Sequence, residues 1–193
     1  MNKEATKALK KKQNKKWLTV FVVIASVLAI AVLINMAMIF MFSQESKEES
    51  GDRSTGVTAW IVDLLYPENR DMNSEARNEL LRSTQRFVRK LAHFAEFALL
   101  GFLSTGLLCY LNRWKHKLKT WFLWLIPAAF CLLYAIFDEV HQIFSNRGPS
   151  VVDVLIDFSG ALFGILLMQG IVGITRGIRR ARKERRCKRQ NTV

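Results

Sequence analysis

The chain contains four long apolar segments, and the first of them restricts the possible folds most strongly. From Trp17 to Phe42 only Thr19, Ser26 and Asn35 interrupt an otherwise apolar run. A helix needs about 20 apolar residues to cross a bilayer, so this segment can span with some tilt. Seven lysines precede it, as in a signal peptide, but the apolar run is too long and no A-x-A-like cleavage site follows. The sequence therefore predicts an uncleaved membrane anchor over residues 17–42.

Three further apolar segments follow the anchor. They cover Leu91–Leu111, a stretch from about Leu118 to Phe144, and Val151–Ile174. Only helices and closed barrels satisfy their backbone hydrogen bonds within lipid, and segments of this length and apolar density indicate helices. We therefore predict an all-α integral membrane bundle of four transmembrane helices. A buried soluble helical bundle is the alternative interpretation.

The distribution of basic residues decides between these interpretations and predicts the topology. The chain has 29 Lys and Arg against 16 Asp and Glu, a formal net charge of +13 that would by itself suggest a nucleic-acid binder. However, segments 1–16, 112–120 and 175–193 hold seven, four and nine of the basic residues. The positive-inside rule then places both termini in the cytoplasm. We expect the tail 175–193 to lie along anionic inner-leaflet lipid and expect no nucleic-acid partner.

Residues 43–90 are then predicted to form an extracellular loop with two helices. Within Gly56–Tyr66, five apolar residues follow a helical spacing that is too short to span and suits the membrane interface: Val57, Trp60, Ile61, Leu64 and Leu65. Residues 74–90 have the pattern of a polar helix leading into the second span, with Ser74 as its N-cap. Residues 91–174 are predicted to form a three-helix core between this loop and the tail.

Ionisable residues within the spans lie at one depth. His93 and Glu96 lie near the outer end of the second span, and Asp153 and Asp157 lie near the outer end of the fourth. The outer end of the third span contributes Asp138, Glu139, His141 and Gln142. Charges within a membrane cost about 2.5–3.5 kcal/mol each on insertion scales and usually face a bundle interior or water. The sequence therefore predicts one polar layer in the outer third of the bundle.

Helical periodicity predicts how this layer is assembled. Asp153, Asp157, Gly160 and Gly164 fall on one stripe of the fourth span at about 100° per residue. The Gly160-x-x-x-Gly164 pair should let another helix approach closely, so that the aspartates face the same neighbour. Arg147 belongs to the tight turn directly above. Simple charge pairing that holds the helices in register is the alternative interpretation of these residues.

Three blocks of sequence resemble the VanZ-like family of bacterial membrane proteins. The blocks are Arg89, Lys90, His93, Glu96, Phe97 and Gly101; Asp138, Glu139, Gln142, Phe144 and Arg147; and Asp153, Asp157 and Gly160. Phe42-Ser43-Gln44 is also similar to many members, and the last block often has Asn at the position of Asp157. The resemblance covers most of residues 38–170. It implies a multi-pass protein of the bacterial plasma membrane and a role in resistance to teicoplanin, a lipid-bearing glycopeptide.

Two classes of function are compatible with the polar layer. The first, which we favour, is binding or shielding of a lipid headgroup, a lipid-linked wall precursor or a lipoglycopeptide. Its candidate residues are Lys90, His93, Glu96, Asp138, Glu139, Gln142, Arg147, Asp153 and Asp157. The second is a membrane-embedded hydrolase or transferase that uses a carboxylate of Glu96, Asp138 or Glu139. A divalent metal could serve that chemistry, with the candidate ligands His93, Glu96, Asp138, His141, Asp153 and Asp157.

Overall fold

The chain folds into five helices in the computed structural model, which describes residues 3–44, 56, 58–67, 73–115, 117–143 and 150–190. The helices are α1 (Lys3–Gln44), α2 (58–65), α3 (Ser74–Lys115), α4 (Phe122–Ile143) and α5 (Val151–Gln190). These described ranges contain no strand. The predicted all-α fold is confirmed.

Four of these helices are long and apolar enough to cross a membrane. The candidate spans are Lys15–Ser43, Ser74–Trp114, Phe122–Gln142 and Val151–Arg185, which confirms the prediction of four spans. With 42 residues, α3 is about 63 Å long, roughly twice the thickness of a bilayer's hydrocarbon core. The polar stretch 74–90 and the second span are therefore one continuous helix whose first half extends beyond the membrane. In the same way, α5 continues through the basic stretch after residue 174.

Helices α3 and α5 form the most extensive helix pair, and glycines bring their backbones together. A Cβ atom at Gly160 would overlap with the backbone carbonyl of Phe94, and one at Gly164 would overlap with that of Ala98. Gly101 makes the corresponding close approach from α3. Small residues at such positions permit helices to pack by direct backbone contact in lipid. The helix that approaches the Gly160-x-x-x-Gly164 stripe is therefore α3.

The other two spanning helices are joined to this pair through apolar packing and a few polar bonds. The buried cluster at the centre contains residues of all four spanning helices: Val32, Ile39, Phe97, Leu100, Cys131, Ala135 and Ala161. The Tyr134 hydroxyl donates to the Met36 carbonyl at 2.7 Å and connects α4 to α1. The Gln169 amide donates to the Leu123 carbonyl at 2.8 Å and connects α5 to α4. These bonds satisfy buried polar groups and fix the helices in register.

The short helix α2 has an inner and an outer face. Thr58 and Val62, one turn apart, are buried. Trp60, Leu64 and Leu65 are each more than 60% exposed. An exposed apolar face on a short helix suits a position at the membrane interface. The structure confirms that a helix forms here, and its interfacial location stays a prediction.

Candidate functional site

The predicted ionisable residues of the spans meet at the end of the bundle where α1 and α4 end and α5 begins. We call the five carboxylates there the acidic layer: Glu96, Asp138, Glu139, Asp153 and Asp157. Asp138, Glu139 and Asp157 are only 1%, 6% and 4% exposed, which is exceptional burial for acidic residues. His93 interacts electrostatically with Glu96, Asp138 and Asp157. The sequence-based depth argument therefore identified residues that the fold does bring together.

Asp138 is held by a short hydrogen-bond network between α1 and α4. Its Oδ2 atom accepts from the Ser43 hydroxyl and from the Gln142 amide, both at 3.0 Å. Its Oδ1 atom is buried and receives no hydrogen bond from the described part of the chain. Ser43 was not among the predicted binding residues, although Phe42-Ser43-Gln44 was noted as similar to many family members. The network fixes the Gln142 amide and leaves one carboxylate oxygen of Asp138 without a donor among the described residues.

Glu139 connects the end of α4 to the start of α5. One carboxylate oxygen accepts the backbone N–H of Ser150, and the Ser150 hydroxyl accepts the backbone N–H of Asp153 at 3.3 Å. Ser150 is therefore the N-cap of α5. The other oxygen of Glu139, Oε2, is buried without a hydrogen bond from any described residue. Glu139 thus positions α5, a structural task that the sequence analysis did not assign to it.

One ion pair joins α3 to α5 in the acidic layer, and one close polar contact lies within α3 itself. Lys90 Nζ lies 2.9 Å from Asp153 Oδ1, which ties α3 to α5 next to the glycine contacts. His93 Nδ1 lies 3.4 Å from Glu96 Oε2, one turn further along α3. This second pair is a close polar contact and not a well-formed hydrogen bond, since neither atom meets the geometric requirements for one. Four of the predicted binding residues are therefore paired in two contacts.

A cleft of about 530 Å³ opens between α3 and α5 at this end of the bundle. We call it the polar cleft. Its α3 wall consists of Arg82, Gln85, Arg86, Arg89, Lys90 and His93. Its other wall consists of Gln142 from α4 and Asp153, Ile156 and Asp157 from α5. One wall is therefore predominantly cationic, and the other wall carries two carboxylates.

The arginines of the polar cleft are available to a ligand. Arg82, Arg86 and Arg89 form no ion pair with any residue in the described ranges, whereas Lys90 is paired with Asp153. The sequence analysis did not select Arg82, Gln85 or Arg86, and it used Arg89 only within the family blocks. The available signal was their helical spacing from Lys90 and His93, which places all of them on one face of α3.

Several predicted residues lie outside the polar cleft. Glu96, Asp138 and Glu139 do not line it, and Asp138 acts on it through Gln142. The His141 ring packs 4.5 Å from the ring of Phe40 and does not enter the cleft. Arg147 lies outside the described residues.

The predicted metal ligands do not form a compact set. Within the part of the chain that the structure describes, no group of three or more His, Cys, Asp or Glu side chains could hold a metal ion. Asp153 is paired with Lys90, and His141 packs against aromatic rings. The role of a divalent metal stays a prediction, and the described residues offer no set of ligands for it.

The sequence model of one protein family, described as VanZ/LLP1, matches residues 12–173. The chain belongs to the VanZ/LLP1 family. The resemblance seen in the three sequence blocks is therefore confirmed, and the VanZ/LLP1 match extends further, from α1 through most of α5. No curated protein sequence and no solved structure matches the chain.

The geometry of the site in this VanZ/LLP1 protein favours a particular ligand chemistry. Guanidinium groups bind phosphate and carboxylate through pairs of parallel hydrogen bonds. Asp153 and Asp157 on the facing wall can accept hydrogen bonds from hydroxyl or amine groups. The polar cleft therefore suits a ligand that carries an anionic group and hydrogen-bond donors on one headgroup.

Proposed function

We propose that this VanZ-family membrane protein binds or shields a ligand of the outer membrane surface in its polar cleft. The ligand is a lipid headgroup, a lipid-linked wall precursor or a lipoglycopeptide, and its capture contributes to teicoplanin-type resistance. The observation that carries the proposal is the row of three arginines, Arg82, Arg86 and Arg89, without an acidic partner in the described ranges, along one wall of a cleft.

Charge supports an anionic ligand. Lys90 is neutralised by Asp153, so the uncompensated positive charge of the α3 wall comes from the three arginines. A hydrogen bond to a charged group contributes about 1.5–3 kcal/mol. Three guanidinium groups on one face can therefore supply a large part of the affinity for a phosphate or carboxylate.

The position of the polar cleft supports a ligand at the membrane surface. From His93 to Arg82, α3 rises by about 16 Å at about 1.5 Å per residue. His93 and Lys90 lie beside the start of the apolar segment, and Arg82 lies well outside it. A cleft that extends from the hydrocarbon boundary into water matches a headgroup attached to a lipid chain. The positive-inside rule assigns this side to the outer leaflet.

A membrane-embedded hydrolase or transferase is the second candidate. It is favoured by the contact of His93 with Glu96 at the base of the polar cleft, since a histidine beside a carboxylate is a common general acid–base pair. This candidate covers a metal-dependent and a metal-independent reaction alike. Turnover of a lipid-linked wall precursor by the purified wild-type chain, lost in His93→Gln, would establish this candidate over simple binding.

The resistance role is tested by expressing variants in a teicoplanin-sensitive bacterium. Arg86→Gln removes one charge from the middle of the α3 wall, and we expect it to lower the resistance that the wild-type chain confers. Arg77→Gln is the matched control, because it makes the same change on the same helix outside the polar cleft. Membrane abundance of each variant is measured by immunoblotting. The resistance role is wrong if the wild-type chain leaves susceptibility unchanged, and the cleft assignment is wrong if both variants behave alike.

A further inference from the structure

A second cleft lies between the same two helices at the opposite end of the bundle. It measures about 510 Å³ and receives Arg113 from α3 and Arg176, Arg179 and Arg180 from α5. Tyr110 of α3 and Thr175 of α5 also line it. We call it the basic cleft. It is separate from the polar cleft, and the function proposed above does not use it.

The basic cleft exists because the close contact between α3 and α5 ends before it. Near the polar cleft, Gly160 and Gly164 touch the α3 backbone. Gly106, further along α3, faces the flexible end of the Met168 side chain and no backbone of α5. The wider spacing from this point onward leaves room between the helices, and the arginines of both helices surround that space.

The charge of the basic cleft is uncompensated among the described residues. Its lining contains four guanidinium groups and no carboxylate. None of the four arginines forms an ion pair with a residue of the described ranges. Like charges that converge from two helices repel each other, and a bound anion removes that cost. Bidentate guanidinium contacts suit a phosphate group in particular.

The surroundings favour a lipid phosphate over a soluble anion. Val172 and Cys109 also line the basic cleft, so a hydrocarbon-like wall adjoins the arginines. Ile171 and Ile174 on the same stretch of α5 are 48% and 65% exposed and face outward. The arginines begin where the apolar segment of α5 ends, at the depth of the phospholipid headgroups. A phosphate bound there can keep its glycerol and acyl chains in the membrane.

We propose that the basic cleft binds the phosphate group of an anionic phospholipid from the adjacent leaflet. Arg176 and Arg180, one helical turn apart, contact the phosphate from α5, and Arg113 contacts it from α3. This proposal differs from general attraction of the basic tail to an anionic surface, to which every arginine would contribute. Arg182 and Arg185 of the same helix do not line the cleft and should not take part.

The full-length chain is purified in detergent, and its lipid binding is measured by native mass spectrometry. Phosphatidylglycerol and phosphatidylcholine are the two probes. The double variant Arg176→Gln/Arg180→Gln should weaken phosphatidylglycerol binding at least tenfold. The control Arg182→Gln/Arg185→Gln removes the same charge from the same helix and should change it less than twofold. Phosphatidylcholine should bind weakly to all three proteins. Equal weakening by both double variants, or no weakening by the first, would overturn the proposal.

Two further arms complete this test. Arg113 lines the basic cleft from α3, so Arg113→Gln should also weaken phosphatidylglycerol binding. Weaker binding in this variant would show that the effect is not limited to the end of α5. Unchanged binding in this variant contradicts the proposal. Inorganic phosphate added to the lipid-free protein should bind far more weakly than phosphatidylglycerol. If phosphate alone binds as tightly and depends on the same arginines, the ligand is a soluble anion and the lipid assignment is wrong.

Discussion

Replacing Gly164 by alanine is expected to separate α5 from α3 and destabilise the bundle. The added Cβ atom would overlap with the backbone carbonyl of Ala98, which is fixed in the hydrogen-bonding pattern of α3. A backbone atom cannot rotate away as the end of a side chain can, so one helix must move. Because the polar cleft lies between these two helices, the substitution also tests the scaffold of the candidate site.

The size of the effect follows from a matched pair of substitutions. Overpacking of a tight contact costs typically about 1–3 kcal/mol, and an unyielding backbone neighbour favours the upper part of that range. Alanine in place of a helical glycine gains up to about 1 kcal/mol from helix propensity. Gly170 of the same helix has nothing within 4 Å of an added Cβ. Gly170→Ala should therefore gain helix propensity without an overpacking cost. The difference between the two variants should therefore be about 2–3 kcal/mol.

The assay is reversible unfolding of the purified protein in mixed detergent and SDS micelles, followed by circular dichroism. Gly164→Ala should unfold at a lower SDS fraction than wild type, and Gly170→Ala at an equal or higher one. Gly106→Ala should lie between them, because the Met168 side chain can shift to accommodate the new methyl group. If Gly164→Ala is as stable as Gly170→Ala, the close α3–α5 contact is wrong.

Two other predictions address the acidic layer and the topology. Asp138→Asn should keep the bonds from Ser43 and Gln142, because the amide oxygen can still accept both, but it removes the ionisable carboxyl group. We therefore expect normal membrane abundance with loss of any resistance, and full resistance at that abundance would refute a role for the carboxyl group. In intact cells, an impermeant thiol reagent should modify a Ser50→Cys variant and not the exposed Cys187; the reverse pattern would overturn the predicted orientation.

The spans and the acidic layer could be predicted because each depends on a local property of the sequence. Apolar length determined the four spans, and the position of a charge within a span determined its depth. Helical periodicity also indicated that Gly160 and Gly164 face the same neighbour as Asp153 and Asp157. Each of these features is a property of a single helix, so it can be predicted from the sequence alone.

The features that were missed depend on contacts between helices. Glu139 looked like a free carboxylate, because its bond to the Ser150 N–H requires knowing where α5 begins relative to α4. His141 looked like a metal ligand, because its packing against Phe40 requires knowing the position of α1. Arg82 and Arg86 fell in the predicted polar helix 74–90, and their place in a cleft requires knowing where α5 lies beside α3.

The most direct test of the central claim is the affinity of the polar cleft for a headgroup ligand. We would measure binding of a lipid-linked wall precursor, and separately of teicoplanin, to the full-length chain in phosphatidylcholine nanodiscs. The triple variant Arg82→Gln/Arg86→Gln/Arg89→Gln should bind the preferred ligand at least about a hundredfold more weakly, and Arg77→Gln should bind it normally. If the wild-type chain binds neither ligand, or the triple variant binds as tightly as wild type, the polar cleft is not the ligand site.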